Sequence, residues 1–311
     1  RLSKYRHVSI CAITLDPFTE IAAQTQHLSA IGVVVGNEPV WSLSLDDLRV
    51  YADIFTNPLE FLHFVQMRKA AFNSQLLKLD DELDHLGLYL RHNDYPRHAA
   101  ELVKGRGVHL QFIGYRKEID KFFSARLLDD QLPSPLRQKM HPGLTGLLEI
   151  LRLSKKSGRS AIAAYLLDMS GDWRNKMFAT LEQERAGADA KQPRPFSTFG
   201  EIRLTTFPWT PEWGRLPAHE SRDHAKAMMV MNDEPSRVLL ELSYDERSTL
   251  VDADWQFLRR SDITIFEMPA LQARGESLRD ARLHRALATK RHIGRNEQCP
   301  CGSGKKFKKC C

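Results

Sequence analysis

The sequence Cys299-Pro-Cys301-Gly-Ser-Gly-Lys-Lys-Phe-Lys-Lys-Cys310-Cys311 closes the chain and holds four of its five cysteines. The thiols form two close pairs, which eight residues separate. Zinc prefers four ligands in a tetrahedron, and cysteine thiolates suit it well. We therefore expect Cys299, Cys301, Cys310 and Cys311 to bind one Zn²⁺ ion.

The loop between the two pairs has a composition that suits such a site. Glycines let it turn without steric cost, and its four lysines offset the negative charge of a zinc tetrathiolate: Lys305, Lys306, Lys308 and Lys309. Because protein would fill all four positions, we expect a structural metal, on which the folding of so small a module depends. The alternative is a disordered tail with reactive thiols or a disulfide.

The last eighteen residues, from Gly294 to Cys311, resemble the SEC-C motif, the zinc-binding tail of the SecA preprotein translocase ATPases. The resemblance implies the same four ligands, Cys299, Cys301, Cys310 and Cys311, the last of which is His or Cys in the family. It also implies an accessory module for interaction, because the tail of SecA docks on a chaperone partner. It does not imply a translocase, since the chain has no ATPase signature.

Composition indicates a cytoplasmic bacterial protein. Cysteines clustered at one end favour metal ligation in a reducing compartment over a disulfide framework. The longest apolar run is seven residues, whereas a membrane span needs about 20. The chain opens on Arg1 instead of Met, and we expect it to be the C-terminal part of a larger protein.

Basic charge is concentrated at the C-terminal end. Residues 271–311 carry eleven Lys and Arg against three acids, although the net charge of the whole chain is only +6. Such a tail favours an acidic protein surface or nucleic acid as partner, and we expect Lys305, Lys306, Lys308 and Lys309 to bind it. A merely solvated tail is the alternative.

The pattern of apolar residues predicts an α/β first region, a helical middle, a small α+β region and the zinc-binding tail. The expected boundaries are 1–115, 116–186, a linker at 187–196, 197–291 and 292–311. Ser44 with Asp47 predicts a helix start, as do Asn57 and Pro58. Strands are expected at 108–115, 200–207, 237–244 and 263–268, and a closing helix at 277–290.

The N-terminal region resembles the closing strands and helix of restriction-endonuclease-like domains, through Val8-Ser-Ile-Cys-Ala-Ile-Thr-Leu-Asp-Pro17 and Ser42-Leu-Ser-Leu-Asp-Asp-Leu-Arg49. The resemblance implies the C-terminal part of a nuclease acting on DNA, with a role in defence, as the alternative function. The Glu-x-Lys pair that such nucleases use to hold magnesium is absent from these 311 residues. No catalytic motif is found, and catalytic residues stay unassigned.

Two weaker groupings are open to a structural or a functional interpretation. Asp81, Asp84 and His85 share a helical face, which fits a divalent metal site or acids stabilising the first turn of a helix. Tryptophans near arginines fit a base-stacking surface or core packing: Trp209, Trp213 and Trp255 with Arg215 and Arg222. The remaining cysteine, Cys11, lies in an apolar strand and is expected to be buried.

Overall fold

The computed structural model describes residues 10–15, 32, 40–104, 106, 110–112, 114–128, 140–186, 195–198, 202–212, 214–289, 293–297, 299–301 and 305–310. The chain divides into two compact units, Arg1–Asn175 and Lys176–Cys311. Both helices and strands are present, so the expected mixed fold is confirmed at that level. The five-region division made from composition stays a prediction. Among the helices of the described ranges, none has the length and apolarity needed to cross a bilayer.

Unit 1 contains short parallel strand pairs and a series of helices. The strands are β1 (Ile10–Thr14), β2 (Val40–Ser44), β3 (Leu77–Leu79) and β4 (Leu110–Phe112). Parallel pairs form between β1 and β2 and between β3 and β4. The helices are α1 (Leu45–Ile54), α2 (Pro58–Ser74), α3 (Glu82–Arg91), α4 (Tyr95–Leu102), α5 (Tyr115–Leu128), α6 (Pro142–Leu153) and α7 (Arg159–Leu167). Helix α8 (Gly171–Ala186) starts in unit 1 and continues into unit 2.

Both predicted helix starts are confirmed. The Ser44 side chain accepts a hydrogen bond from the backbone N–H of Asp47, and the Asp47 carboxylate accepts one from the N–H of Ser44. Asn57 accepts from the N–H of Leu59, and Pro58 stands at the first helical position. These short-range bonds satisfy N–H groups that have no partner within the helix.

An aromatic cluster forms the core of unit 1, with Trp41, Tyr51, Phe55, Phe64 and Tyr89 at its centre. Neighbouring ring centroids in this cluster lie 5.2 to 6.2 Å apart. Such spacing gives tilted and edge-to-face contacts that stabilise the core beyond the burial of apolar area.

Helices α3 and α5 approach each other closely at Gly87. A Cβ atom placed there would lie 2.5 Å from the Cβ of Tyr115. Real Cβ atoms do not come so near one another, and neither atom is at the end of a flexible chain. The two helices therefore pack at this distance because residue 87 has no side chain.

Unit 2 is built on a four-stranded sheet in the order β5 (Phe196–Ser197), β6 (Leu204–Trp209), β7 (Ser236–Tyr244), β8 (Leu250–Arg259). Strands β6 and β7 are parallel and are connected through α9 (Ala218–Met231), whereas β5 and β8 are antiparallel to their neighbours. Helix α10 (Met268–Thr289) packs on α9. Phe207, Trp209, Leu239 and Met229 are part of the core between the sheet and α9.

The structure corrects several expected elements. The strand expected at 263–268 is a turn that leads into α10, and Ile265 and Phe266 are exposed there. The closing helix begins nine residues earlier than the expected residue 277, at Met268. Tyr115, expected to end a strand, begins α5. Cys11 is exposed, contrary to expectation.

Candidate metal centre

Three of the four predicted zinc ligands come together in the structure. The Sγ atoms of Cys299, Cys301 and Cys310 all lie within 4.8 Å of one another. Cys301 and Cys310 are the nearest pair, with 3.3 Å between their Sγ atoms. A tetrahedral site with Zn–S bonds of about 2.3 Å would place its sulfurs about 3.8 Å apart. The fourth predicted ligand, Cys311, lies outside the described residues.

Backbone hydrogen bonds fold the loop so that Cys310 lies beside Cys299 and Cys301. Cys299 N donates to the carbonyl of Lys305 at 2.8 Å, and Phe307 N donates to the carbonyl of Glu297 at 2.8 Å. A short 3-10 helix, Phe307–Lys309, then delivers Cys310 to the cluster. The loop between Cys301 and Cys310 therefore folds back, so that the Cys310 thiol faces those of Cys299 and Cys301.

Burial separates the thiols from the lysines of the same loop. Cys301 is completely buried and Cys299 nearly so, whereas Lys305, Lys306, Lys308 and Lys309 are all exposed. The lysine side chains therefore face solvent while the buried cysteines face inward. The described part of unit 2 thus presents a sulfur site beneath a basic surface.

Helix α10 contributes a further positive charge near the cluster. Attraction between the Arg282 guanidinium and negative charge on Cys301 acts to raise the pKa of Arg282. Burial, with repulsion by Arg237 and Arg285, still lowers the pKa of Arg282 to about 10. Sequence reasoning missed this residue, because the motif spacing gives no information about the helix before it.

Asp81, Asp84 and His85 have structural partners in place of a shared metal. Asp81 caps α3 and accepts hydrogen bonds from the Arg116 side chain at 2.9 and 3.0 Å. Asp84 accepts from the backbone N–H of Arg116, and His85 bonds to the hydroxyl of Tyr95. Among the residues that the structure describes, the cysteines are the group whose ligand atoms converge closely enough for an ion.

The tryptophans likewise serve the core. Trp209 and Trp255 are buried, and Trp209 stacks on Phe207. Arg215 pairs with Glu241 and Arg222 with Gln256. Trp213 lies outside the described residues. Trp209 and Trp255 are therefore too buried to offer a face on which bases could stack.

Comparison with known proteins agrees with this site. Residues 295–311 match the SEC-C motif. The chain is 95% identical over 19 residues to the protein translocase subunit SecA of Endomicrobium trichonymphae, which is 6% of this chain and 2% of that protein. It is 53% identical over 32 residues to SecA of Caldicellulosiruptor saccharolyticus, covering 10% of this chain and 4% of that one.

A relative of another kind also matches a short stretch of the chain. A UPF0225 protein of Vibrio parahaemolyticus is 56% identical over 36 residues, which is 12% of this chain and 21% of that protein. The chain thus spans only a small part of the length of each of these relatives. No solved structure matches it. The comparisons therefore identify the motif at residues 295–311.

Proposed function

We propose that this chain is an accessory or interaction protein whose C-terminal SEC-C module holds one structural zinc ion and docks on an acidic partner surface. The convergence of the Cys299, Cys301 and Cys310 thiols within 4.8 Å of one another carries the proposal. Cys311 would complete the tetrahedron, as the motif implies. With four protein ligands, zinc would stabilise the fold of the module and leave no position for a substrate.

The exposed lysines support the choice of an acidic partner. Lys305, Lys306, Lys308 and Lys309 surround a site whose thiolates point inward, so the module would present positive charge to a partner. Association of this kind is fast and weakens with salt. Nucleic acid is also negatively charged and would meet the same lysines. The alternative function, a nuclease acting on DNA, stays a prediction because no catalytic group is assigned among the described residues.

Metal analysis tests the first half of the proposal. Elemental analysis of the purified full chain should give one zinc per molecule, and Cys301→Ser should lose it. Cys11→Ser is the matched control, because Cys11 is exposed and distant in sequence from the module; this variant should keep its zinc. A wild-type chain without metal, or a Cys301→Ser variant with a full zinc complement, would contradict the proposal.

Binding to an acidic polypeptide tests the second half. The zinc-loaded chain should bind poly-L-glutamate with an affinity that falls steeply between 50 and 300 mM salt. Replacing Lys305, Lys306, Lys308 and Lys309 together by Gln should weaken binding at low salt at least tenfold and flatten the salt dependence. Preference for a DNA duplex of equal length and charge would overturn the choice of partner, and salt-independent affinity would indicate apolar docking.

A further inference from the structure

The three described cysteines of the C-terminal module differ in their exposure. Cys301 is completely buried and Cys299 is 4% exposed, whereas Cys310 lies partly at the surface. Two exposed lysines, Lys308 and Lys309, directly precede Cys310 in the chain. Cysteines that react with oxidants are found in such partly exposed, electropositive places, whereas fully buried ones are inert. Among these three residues, Cys310 therefore offers a dissolved oxidant the shortest way to the sulfur cluster.

A second thiol stands beside Cys310. The Sγ atom of Cys301 is 3.3 Å from that of Cys310. The S–S bond of a disulfide is about 2.05 Å long, so the two sulfurs need to approach by only about 1.2 Å. The two cysteines are nine positions apart in the chain, which gives the intervening loop room to close on a disulfide. A partly exposed thiol with a second thiol next to it is the usual arrangement of a redox-sensing pair.

Zinc coordination would prepare both sulfurs for this chemistry. A thiol binds the metal in its deprotonated form, and the thiolate is also the form that attacks an oxidant. The inference that follows rests on the proposed function, because it assumes that Cys301 and Cys310 belong to the zinc site. It goes further in assigning these two ligands a reaction of their own.

We propose that Cys310 and Cys301 are a peroxide-sensitive pair, whose oxidation to a disulfide releases the zinc ion from the module. Cys310 is the thiol that meets the oxidant, and Cys301 is the thiol that resolves the oxidised product. The modification is reversible, because a thiol reductant converts the disulfide back to two thiols that bind zinc again.

The reaction proceeds in two steps with hydrogen peroxide as the oxidant. The Cys310 thiolate attacks one oxygen of the peroxide, the O–O bond breaks, and a sulfenic acid and a hydroxide ion are formed. The Cys301 thiolate then attacks Sγ of Cys310, the S–S bond forms, and the sulfenic oxygen leaves as a second hydroxide. Two electrons pass from the sulfurs to the peroxide, and two protons from solvent convert the hydroxides to water.

The disulfide would remove two of the four predicted ligands. Cys299 and Cys311 alone provide half of the tetrahedral set that a structural zinc site requires. The short backbone hydrogen bond from Cys299 N to the carbonyl of Lys305 would lose the metal that stabilises its surroundings. The lysine surface would then lose its fixed arrangement, so docking on an acidic partner would respond to the level of oxidant.

Peroxide treatment of the zinc-loaded full chain tests the inference. The Cys11→Ser variant serves as the background, so that the exposed Cys11 takes no part in the reaction. Millimolar hydrogen peroxide should release one zinc per chain to a zinc-binding dye, and peptide mass spectrometry should find a disulfide between Cys301 and Cys310. Dithiothreitol with added zinc should restore the metal-bound form.

The failures of the two proposals are distinguishable in this experiment. A chain that carries no zinc before peroxide is added would contradict the proposed function and this inference with it. A zinc-loaded chain that keeps its metal under peroxide, or that pairs other cysteines, would refute the inference alone.

Histidine variants in the same background separate oxidation from the loss of a ligand. Cys310→His keeps a residue that binds zinc but forms no disulfide, so peroxide should release its zinc at least about tenfold more slowly. Cys301→His removes the resolving thiol, so Cys310 should stop at the sulfenic acid, which dimedone labels. Zinc release at an unchanged rate from Cys310→His would overturn the assignment. The disulfide map and the dimedone label decide it even where a variant does not load zinc.

Discussion

Several buried charges of unit 1 lie beside opposite charges, whereas the cysteine module gathers thiols that repel one another once ionised. Arg68 and Glu82 are both buried and form two hydrogen bonds of 2.9 Å, and Arg116 connects Asp47 and Asp81. In the module the buried Cys299 and Cys301 stand beside Cys310. These charges of unit 1 are therefore compensated within the unit, whereas the module would depend on a bound cation.

The largest expected effect is that of a chelator on the module. Before chelation, one of the five thiols should react with a thiol reagent, because Cys11 is exposed and the other four would be zinc-bound. After chelation all five should react, while the melting temperature of unit 1 stays unchanged. In Cys11→Ser the counts should be none and four. Equal reactivity of the tail thiols before and after chelation would remove the contrast between the regions.

A smaller effect is expected from breaking the buried ion pair of unit 1. Glu82→Gln leaves the Arg68 guanidinium buried and uncompensated, which should lower the free energy of unfolding by about 3–5 kcal/mol. Urea denaturation measures this change. Asp46→Asn is the matched control, because its pair with Arg49 is exposed and should be worth less than about 1 kcal/mol. Similar losses in both variants would show that burial of the pair is unimportant.

The smallest effect concerns pH and Asp94. Because burial raises the pKa of Asp94 to about 6 in the fold, from near 3.8 in the unfolded chain, its ionisation destabilises the fold. The stabilisation that the protonated Asp94 carboxyl contributes is fully present below the pKa of the unfolded chain. It is lost as the pH rises through about 6, the pKa in the fold. Asp94→Asn should therefore be more stable than the wild type at pH 7.5, by about 1–2 kcal/mol after allowance for solvent screening.

The comparison of the two proteins across pH decides that prediction. Urea denaturation at pH 7.5 and at pH 4 should show the advantage of Asp94→Asn shrinking as the wild-type carboxyl takes up its proton. A difference that is constant with pH would mean that the variant acts through packing or through the lost pair with Arg97 and not through ionisation.

Local signals were predictable from the sequence and tertiary ones were not. The capping box of Ser44 and Asp47 and the Asn57–Pro58 helix start involve residues at most three apart, so their geometry follows from the chain itself. The cysteine cluster is local in the same sense. Strand β8 was not predicted, although Asp252, Asp254 and Gln256 alternate with apolar residues as in a strand with one solvent-facing side, and its pairing with β7 fixes its register.

The reverse error was made at 263–268. Ile265 and Phe266 are apolar and were expected in a strand, but the structure leaves both exposed in a turn. The contact between His63 and Asp168 was also beyond sequence reasoning. His63 lies on α2 and Asp168 follows α7, so only the fold brings their side chains to 2.8 Å from one another.

The contact at Gly87 sets a limit on how the sequence of unit 1 can vary. The residue bears no charge and binds nothing through a side chain, yet even the one-carbon step to alanine would collide with the backbone-proximal part of Tyr115. In a library that samples every residue at every position, site 87 should accept fewer replacements than the charged positions around it. Substitution at residue 87 is thus limited by the separation of two helices and not by any chemistry of the side chain.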